Sequence, residues 1–197
     1  MSEMPTEHFE HAEHAEHARH EAEHGNPFMG TVAMTIAVLA VVAATVGSLE
    51  TLESGGAISA KNESVLLQSK ASDQWSFYQA KSLKKNMYDI AAINAPDGPN
   101  KDTFASTAKR YDGETADIQK EAKKLEEESA AKLGQGDQHE HRHHVLTVAV
   151  TLLHVGIAMA TIAIVTGGKR WPWVVSILLG LGGVAGTAYA YLPMAGH

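Results

Sequence analysis

The sequence predicts an all-α protein with three transmembrane helices and an antiparallel helical hairpin, a coiled coil, inserted between the first and the second. Three observations predict this fold. Three apolar stretches are each long enough, at 1.5 Å per residue, to cross a hydrocarbon core of about 30 Å. A strong turn signal divides the long polar segment between the first two stretches, and a short basic loop joins the last two.

Residues 1–27 form a tail rich in histidine and glutamate, and residues 1–24 carry −6 of the net charge of −7. Low-complexity composition of this kind is typical of a solvated tail. Histidines three or four residues apart would share a helix face, however, and such pairs can chelate zinc, nickel or copper. The tail is therefore either a solvated segment or a metal or proton sensor, with candidate ligands His8, His11, His14, His17, His20 and His24.

Residues 28–49 are predicted to be the first transmembrane helix, because they contain no charge over 22 residues. The segment before them is acidic, whereas a cleaved signal peptide begins with a basic region, so we expect a retained span. Glu50 and Glu53 follow the span, and Gly55-Gly56 predicts a joint between the span and the hairpin.

Residues 50–144 are predicted to be an extramembrane helical hairpin, with its turn at Ala95-Pro96-Asp97-Gly98-Pro99. A 4-3 spacing on the second helix predicts a coiled-coil seam at Phe104, Ala108, Tyr111, Thr115, Ile118, Ala122, Leu125, Ser129 and Lys132. The partner row is predicted on the first helix at Val65, Ser69, Ser72, Ser76, Gln79, Leu83, Asn86, Ile90 and Ile93. A tight turn would then set Ile93 near Phe104 and Ile90 near Ala108.

Four large side chains of the first hairpin helix lie off this seam on two different faces: Leu66, Trp75, Phe77 and Tyr78. A single hairpin partner cannot cover both faces. We expect another subunit, or the bilayer-proximal part of the same chain, to bury some of them. The alternative is that they remain half exposed, as single aromatic residues on long helices often do.

Residues 145–192 are predicted to be the second and third transmembrane helices with a basic turn between them. Only six residues, Gly167 to Pro172, are available for this turn, and they include two cations and a tryptophan. Short basic loops stay in the cytoplasm and indole rings settle at the membrane interface. The turn and the N-terminus are therefore predicted to be cytoplasmic, and the hairpin and the tail of residues 193–197 to be extracytoplasmic.

The second and third spans contain two features of interest. His154 lies inside the second span, where an ionisable side chain is a functional candidate by default. A neutral histidine hydrogen-bonded to a nearby hydroxyl is the packing alternative. Gly182 and Gly186 have the small-xxx-small spacing that permits close contact between membrane helices.

A second histidine group precedes the second span and supplies further candidate metal ligands: His139, His141, His143 and His144. His139 and His143 are four residues apart and would share a helix face. In the predicted topology this group lies across the membrane from the N-terminal tail. The two groups are therefore not expected to form one site within a subunit.

The run LLQSKASDQWSFYQAKSLKKNMYD, Leu66 to Asp89, follows one predicted span and precedes two more. In this context it resembles the bacterial domain-of-unknown-function 4337 family, most specifically through Ala-Ser-Asp-Gln-Trp-x-x-Tyr-Gln-Ala-Lys-Ser at Ala71 to Ser82. The resemblance extends over residues 28 to 192. It implies a small integral membrane protein with a helical middle, and it implies no activity and no catalytic residues.

The amino-acid composition argues against several kinds of functional site. The absence of cysteine excludes disulfides and thiolate metal sites. The chain lacks a basic face for nucleic acid, and no nucleophile with a base and an orienting group can be proposed. We therefore expect a non-enzymatic structural or accessory protein of the bacterial inner (plasma) membrane that contacts lipid, self-associates as a homo-oligomer and supports a larger membrane assembly. The alternatives are a metal- or pH-responsive membrane protein and a small oligomeric channel or transporter component.

Overall fold

Three α-helices account for most of the part of the chain that the structure describes. A computed structural model describes residues 27–192. Within this range α1 is Pro27–Asn94, α2 is Pro99–Val165 and α3 is Arg170–Ala190, and no residue of the range is in a β-strand. Each helix contains a segment long and apolar enough to cross a membrane. The prediction of an all-helical chain with three long apolar helices is therefore confirmed.

Proline and glycine determine where the helices end. α1 ends two residues before Pro96, and α2 begins at Pro99, where the missing N–H of proline removes no helical hydrogen bond. Gly167 and Gly168 connect α2 to α3 with φ angles of 72° and 84°. This left-handed region is readily accessible only to glycine, so the pair permits the tight reversal between α2 and α3.

α1 continues without interruption through Gly55 and Gly56, so the predicted joint at this pair is wrong. A glycine inside a helix costs about 1 kcal/mol relative to alanine, but it keeps its backbone hydrogen bonds. Gly56 has a packing role, because a Cβ atom there would lie 3.0 Å from Nδ1 of His139. Gly56 therefore permits close approach of α1 to His139 of α2, whereas Gly55 has open space around it.

The described residues form two compact units. The apolar unit comprises the residues up to Gly56 and those from Gln138 onward, and the polar unit is Ala57–Asp137. All three helices contribute to the core of the apolar unit. Its buried side chains are Val32, Ile36, Leu39, Ala43 and Val46 of α1, Leu146, Ala149, Val150, Leu153, Ile157, Ala160, Ala163 and Ile164 of α2, and Ala190 of α3.

α3 packs against the other two helices through glycines. A Cβ atom at Gly180 would lie 2.6 Å from Cδ2 of Leu39, and one at Gly183 would lie 2.9 Å from the carbonyl oxygen of Ala149. A larger residue at Gly183 would force α3 away from α2, because the atom it meets is backbone, whereas a larger residue at Gly180 would require the Leu39 side chain to shift. Small residues therefore set the spacing of α3 from both neighbours, as the small-residue patterns of membrane helices do.

In the polar unit, the seam predicted on α2 is confirmed. All nine of its positions are buried or partly buried. The most deeply buried recur at intervals of seven residues, at Ala108, Thr115, Ala122 and Ser129.

The partner row predicted on α1 is wrong, because all nine of its positions are exposed. Ile90 and Ile93, for example, are 59% and 78% exposed. The neighbouring 4-3 row faces α2 instead. Its buried or partly buried positions are Ala57, Ala60, Ser64, Leu67, Ala71, Gln74, Tyr78, Lys81, Lys85, Tyr88 and Ala92.

Small and amphipathic side chains explain which row of α1 faces α2. Near one end the helices approach closely enough for the Ser64 hydroxyl to donate to the carbonyl oxygen of Ser129 at 2.9 Å. The residues facing each other there are mostly alanine and serine. Farther along, lysine and tyrosine pack their apolar stems and rings at the seam and keep their polar ends exposed. Lys81 Nζ, for instance, lies 2.6 Å from Oε2 of Glu114.

Candidate functional site

Seven polar side chains meet in the apolar unit and come from α1, from α2 and from the residue that follows α3. We call this group the Glu53 cluster. Its members are Glu50 and Glu53 of α1, His139, Arg142, His143 and Thr147 of α2, and Tyr191, which directly follows α3.

Glu53 is the centre of the cluster, and its side chain is only 10% exposed. Its Oε2 lies 2.6 Å from Nδ1 of His139, and its Oε1 accepts a hydrogen bond of 3.1 Å from the Tyr191 hydroxyl. Nη1 of Arg142 lies 3.9 Å from the same Oε1. A buried carboxylate is costly unless it is paired and hydrogen-bonded, and these three groups supply both.

Glu50 lies one helical turn before Glu53 and has its own partners on α2. Its Oε1 accepts a hydrogen bond of 2.5 Å from the Thr147 hydroxyl and lies 3.8 Å from Nδ1 of His143. This Nδ1 is buried and has no hydrogen-bond partner among the described residues. Protonation of the His143 imidazole would therefore create an ion pair with Glu50 across a short distance.

The local sequence explains how these groups come together. The 4-3 spacing of buried positions on α1 runs through Val46, Glu50 and Glu53, so both glutamates face inward. The absence of a side chain at Gly56 leaves room for the imidazole of His139. Arg142 lies over the Tyr191 ring, with 5.6 Å between its Cζ and the ring centroid.

The described histidines of the second histidine group separate into two pairs. His139 and His143 belong to the Glu53 cluster and each faces a carboxylate, whereas His141 and His144 are exposed. Within residues 27–192, no three histidine, aspartate or glutamate side chains are arranged so that they could hold one metal ion. The tail candidates His8, His11, His14, His17, His20 and His24 lie outside the described residues.

The four predicted interaction residues also separate into two pairs. Leu66 and Phe77 are 54% and 49% exposed. Trp75 and Tyr78 are partly buried, and their rings meet edge to face at 5.5 Å. The indole Nε1 of Trp75 donates a hydrogen bond of 2.8 Å to Oε1 of Glu126 on α2. Trp75 therefore contributes to pairing within the chain.

The predicted small-residue positions of the third span face α2 of the same chain. A Cβ atom at Gly182 would lie 3.7 Å from Cδ1 of Leu152, and one at Gly186 would lie 3.4 Å from Cβ of Ala149. These are ordinary contacts, looser than those at Gly183. His154, the intramembrane candidate, is partly buried on α2.

Five members of the Glu53 cluster were not among the predicted site residues: Glu50, Glu53, Arg142, Thr147 and Tyr191. A sequence signal for the two glutamates does exist. Continuing the 4-3 spacing of the first apolar stretch past its last apolar residue places both on the inward face. Ending the first span at Leu49, the last residue before Glu50, ended the pattern too early.

The chemistry available to the cluster is proton exchange and ion pairing. Histidine is the side chain whose charge ordinarily changes between pH 5 and 8. The imidazole of His139 faces Glu53 and that of His143 faces Glu50. Arg142 and Tyr191 also lie beside the buried carboxylate of Glu53.

Comparison with known proteins yields one match. No curated protein and no solved structure matches the chain. A family model described as a domain of unknown function (DUF4337) matches residues 28–193, which include the Glu53 cluster and all three helices except Pro27. The chain therefore belongs to the domain-of-unknown-function 4337 family, as its resemblance predicted.

Proposed function

We propose that this protein is a non-enzymatic structural or accessory protein of the bacterial inner membrane that crosses the bilayer three times and self-associates. The observation that carries this proposal is an unpaired 4-3 row on α1 in the polar unit. We call it the outer row: Val65, Ser69, Ser72, Ser76, Gln79, Leu83, Asn86, Ile90 and Ile93, all exposed.

The lengths and composition of the helices support membrane insertion. All three contain segments long and apolar enough to cross a bilayer. Large apolar side chains such as Met34, Val41 and Leu178 point outward from the apolar unit. Contiguous apolar surface of this kind is rare on soluble monomers and is covered by lipid on membrane proteins.

Two features support the proposed topology. The contact between Glu50 and His143 puts the end of the first apolar stretch beside the start of the second, as a hairpin on one side of the membrane requires. The turn with Lys169 and Arg170 then belongs to the opposite side, which the positive-inside rule makes cytoplasmic. The hairpin is accordingly extracytoplasmic and the N-terminus cytoplasmic.

The order of contacts supports an antiparallel hairpin in the polar unit. Ser64 meets Ser129 and Tyr88 meets Phe104, so residue numbers rise on α1 as they fall on α2. The connection of only four residues between the helices also favours antiparallel neighbours.

The outer row supports self-association. Copies inserted into one bilayer have the same orientation, so their α1 helices run parallel. The outer row of one copy then meets the same row of the next. Serines at 69, 72 and 76 permit close approach, and Leu83 and Ile90 supply apolar contacts. This arrangement is a parallel coiled coil with a partly polar seam.

Disulfide crosslinking tests this arrangement, because the chain has no native cysteine. We expect Ser72→Cys to form disulfide-linked dimers on mild oxidation in native membranes. Lys120→Cys is the matched control, since position 120 is also exposed but lies on the face of α2 away from its seam. Monomers alone at position 72 in every condition would contradict self-association through the outer row.

The Glu53 cluster favours a second candidate function, a response to pH. Protonation of His139 would convert its hydrogen bond with Glu53 into an ion pair. Four other titratable or charged groups surround this pair. These groups are Glu50 of α1, Arg142 and His143 of α2 and Tyr191 after α3. The cluster joins three helices, so its charge bears on how they pack.

The matched variants His139→Gln and His141→Gln test this candidate, because His141 is exposed. The melting temperature in detergent would be measured from pH 5.5 to 8 in the wild type and both variants, and a smaller change in His139→Gln than in His141→Gln would support the response. An identical pH dependence in all three proteins would exclude a response through His139. Calorimetry with zinc, nickel and copper, with and without residues 1–24, tests metal binding by the tail.

A further inference from the structure

A groove of about 660 Å³ runs between α1 and α3 in the apolar unit. It opens outward past side chains that are themselves exposed, including Met34, Val38 and Leu181. Its wall consists mainly of apolar residues, among them Gly30, Met34 and Val38 of α1 and Ile177, Leu181 and Val184 of α3.

The few polar groups of the groove are already satisfied within the protein. The Thr31 hydroxyl donates to the carbonyl oxygen of Pro27 at 3.2 Å, and the Thr35 hydroxyl donates to that of Thr31 at 2.9 Å. Nε1 of Trp173 donates to Oγ1 of Thr35 at 3.1 Å. The groove therefore offers an occupant apolar surface, which suits a hydrocarbon chain.

A positively charged region adjoins one end of the groove. Pro27 lines this end, and the ring of the next residue, Phe28, lies 5.8 Å from Cζ of Arg170. Lys169 precedes Arg170, and both side chains are exposed. Neither has a carboxylate partner within residues 27–192. The apolar groove thus has two cations next to it.

We propose that this groove binds an anionic phospholipid, with one acyl chain along the groove and the phosphate near Lys169 and Arg170. Apolar surface beside two cations complements the two parts of such a lipid. Basic pockets between membrane helices on the cytoplasmic side bind anionic headgroups in this way. The inference rests on one part of the proposed function, namely insertion into the bilayer.

Two glycine variants test the groove. No atom lies within 4 Å of a Cβ at Gly30, so Gly30→Leu has room for its Cβ and would extend its side chain into the groove. Gly47 on the same helix is equally open but does not line the groove, so Gly47→Leu is the matched control. The full chain would be placed in nanodiscs of phosphatidylglycerol and phosphatidylcholine, and native mass spectrometry would count the lipids retained.

We expect the wild type and Gly47→Leu to retain phosphatidylglycerol in preference to phosphatidylcholine. Gly30→Leu should retain at least about fivefold less of it. The double variant Lys169→Gln/Arg170→Gln should retain both lipids without preference. No preference in the wild type, or equal retention in Gly30→Leu, would overturn the inference. Loss of the lipid to millimolar inorganic phosphate would also overturn it, because that result indicates a free-phosphate site.

Carbonate extraction of native membranes separates the two possible failures. If the wild type is extracted, membrane insertion itself is wrong and the proposed function fails with it. If the wild type stays in the membrane but retains no phosphatidylglycerol after purification, only the lipid site is wrong. We expect the wild type and Gly30→Leu to remain in the membrane equally.

Discussion

Gly56 of α1 lies against the imidazole of His139, whose Nδ1 is 3.0 Å from the position that a Cβ atom would occupy. The same Nδ1 lies 2.6 Å from Oε2 of Glu53. The imidazole is therefore confined between the helix backbone and a buried carboxylate. Its position depends on the absence of a side chain at residue 56.

Alanine substitutions at Gly55 and Gly56 should consequently have opposite effects. Gly55 has open space around it, so Gly55→Ala should raise the free energy of unfolding by about 1 kcal/mol through helix propensity. Gly56→Ala gains the same propensity but moves His139 from Glu53, and a hydrogen bond to a charged group contributes about 1.5–3 kcal/mol. We expect a net loss of about 1 kcal/mol, measured by thermal denaturation in detergent. Equal stabilisation by both variants would contradict this account.

The packing of α3 leads to a similar paired prediction. A Cβ atom at Gly183 would lie 2.7 Å from Cγ of Leu153 and 2.9 Å from the backbone oxygen of Ala149, whereas one at Gly182 would make only an ordinary contact. Gly183→Ala should lower the free energy of unfolding by about 1–3 kcal/mol, as overpacking does. Gly182→Ala should be neutral or stabilising. Titration with a denaturing detergent, followed by circular dichroism, would measure both. The reverse order would be inconsistent with this packing.

The structure explains why the seam on α2 was predicted and its partner on α1 was not. On α2, large and small residues alternate with 4-3 spacing in the sequence, and these same residues are buried or partly buried in the structure. On α1, two neighbouring rows both have 4-3 spacing, and the more aliphatic one contains Leu83 and Ile90. The two helices approach each other closely at Ser64 and Ser129, and this favours the other row, which has small side chains at that end. Hydrophobicity alone does not indicate which of the two rows of α1 faces α2.

The Glu53 cluster was missed for a related reason. Glu53 and His139 are 86 residues apart in sequence, and their pairing depends on two helices that continue past the predicted ends of the apolar spans. A charged residue after an apolar stretch normally indicates the membrane surface. Only the spacing across Val46, Glu50 and Glu53 distinguishes an inward-facing glutamate from a solvated one.

Trp75 provides a test of pairing in the polar unit. Its Nε1 donates to Oε1 of Glu126 at 2.8 Å, and its ring meets Tyr78 edge to face. Trp75→Phe keeps an aromatic ring but loses the donor, so we expect about 1–2 kcal/mol of lost stability. Trp171→Phe is the matched control, because Trp171 is exposed. An equal melting temperature in the two variants would show that the Glu126 contact contributes nothing.

The ion pair between Lys81 and Glu114 predicts a loss of stability in acid. The hydrogen bond from Lys81 lowers the pKa of the Glu114 carboxyl below its ordinary value of 4.5. A carboxyl whose pKa is lower in the folded state stabilises the fold above the unfolded pKa, and that contribution disappears as the pH falls through the folded pKa. We therefore expect part of the decrease in melting temperature below about pH 4.5 to come from Glu114.

Glu114→Gln should reduce the acid-induced decrease in melting temperature, because the glutamine has no proton to gain. At pH 7 the same variant should melt at a lower temperature than the wild type, since Lys81 loses a charged partner held at 2.6 Å. Glu127→Gln is the control, because Glu127 is an exposed carboxylate on the same helix. The pair is exposed enough to solvent that salt should weaken the effect at pH 7. Parallel acid profiles for the wild type and both variants would exclude Glu114 as a source of the acid sensitivity.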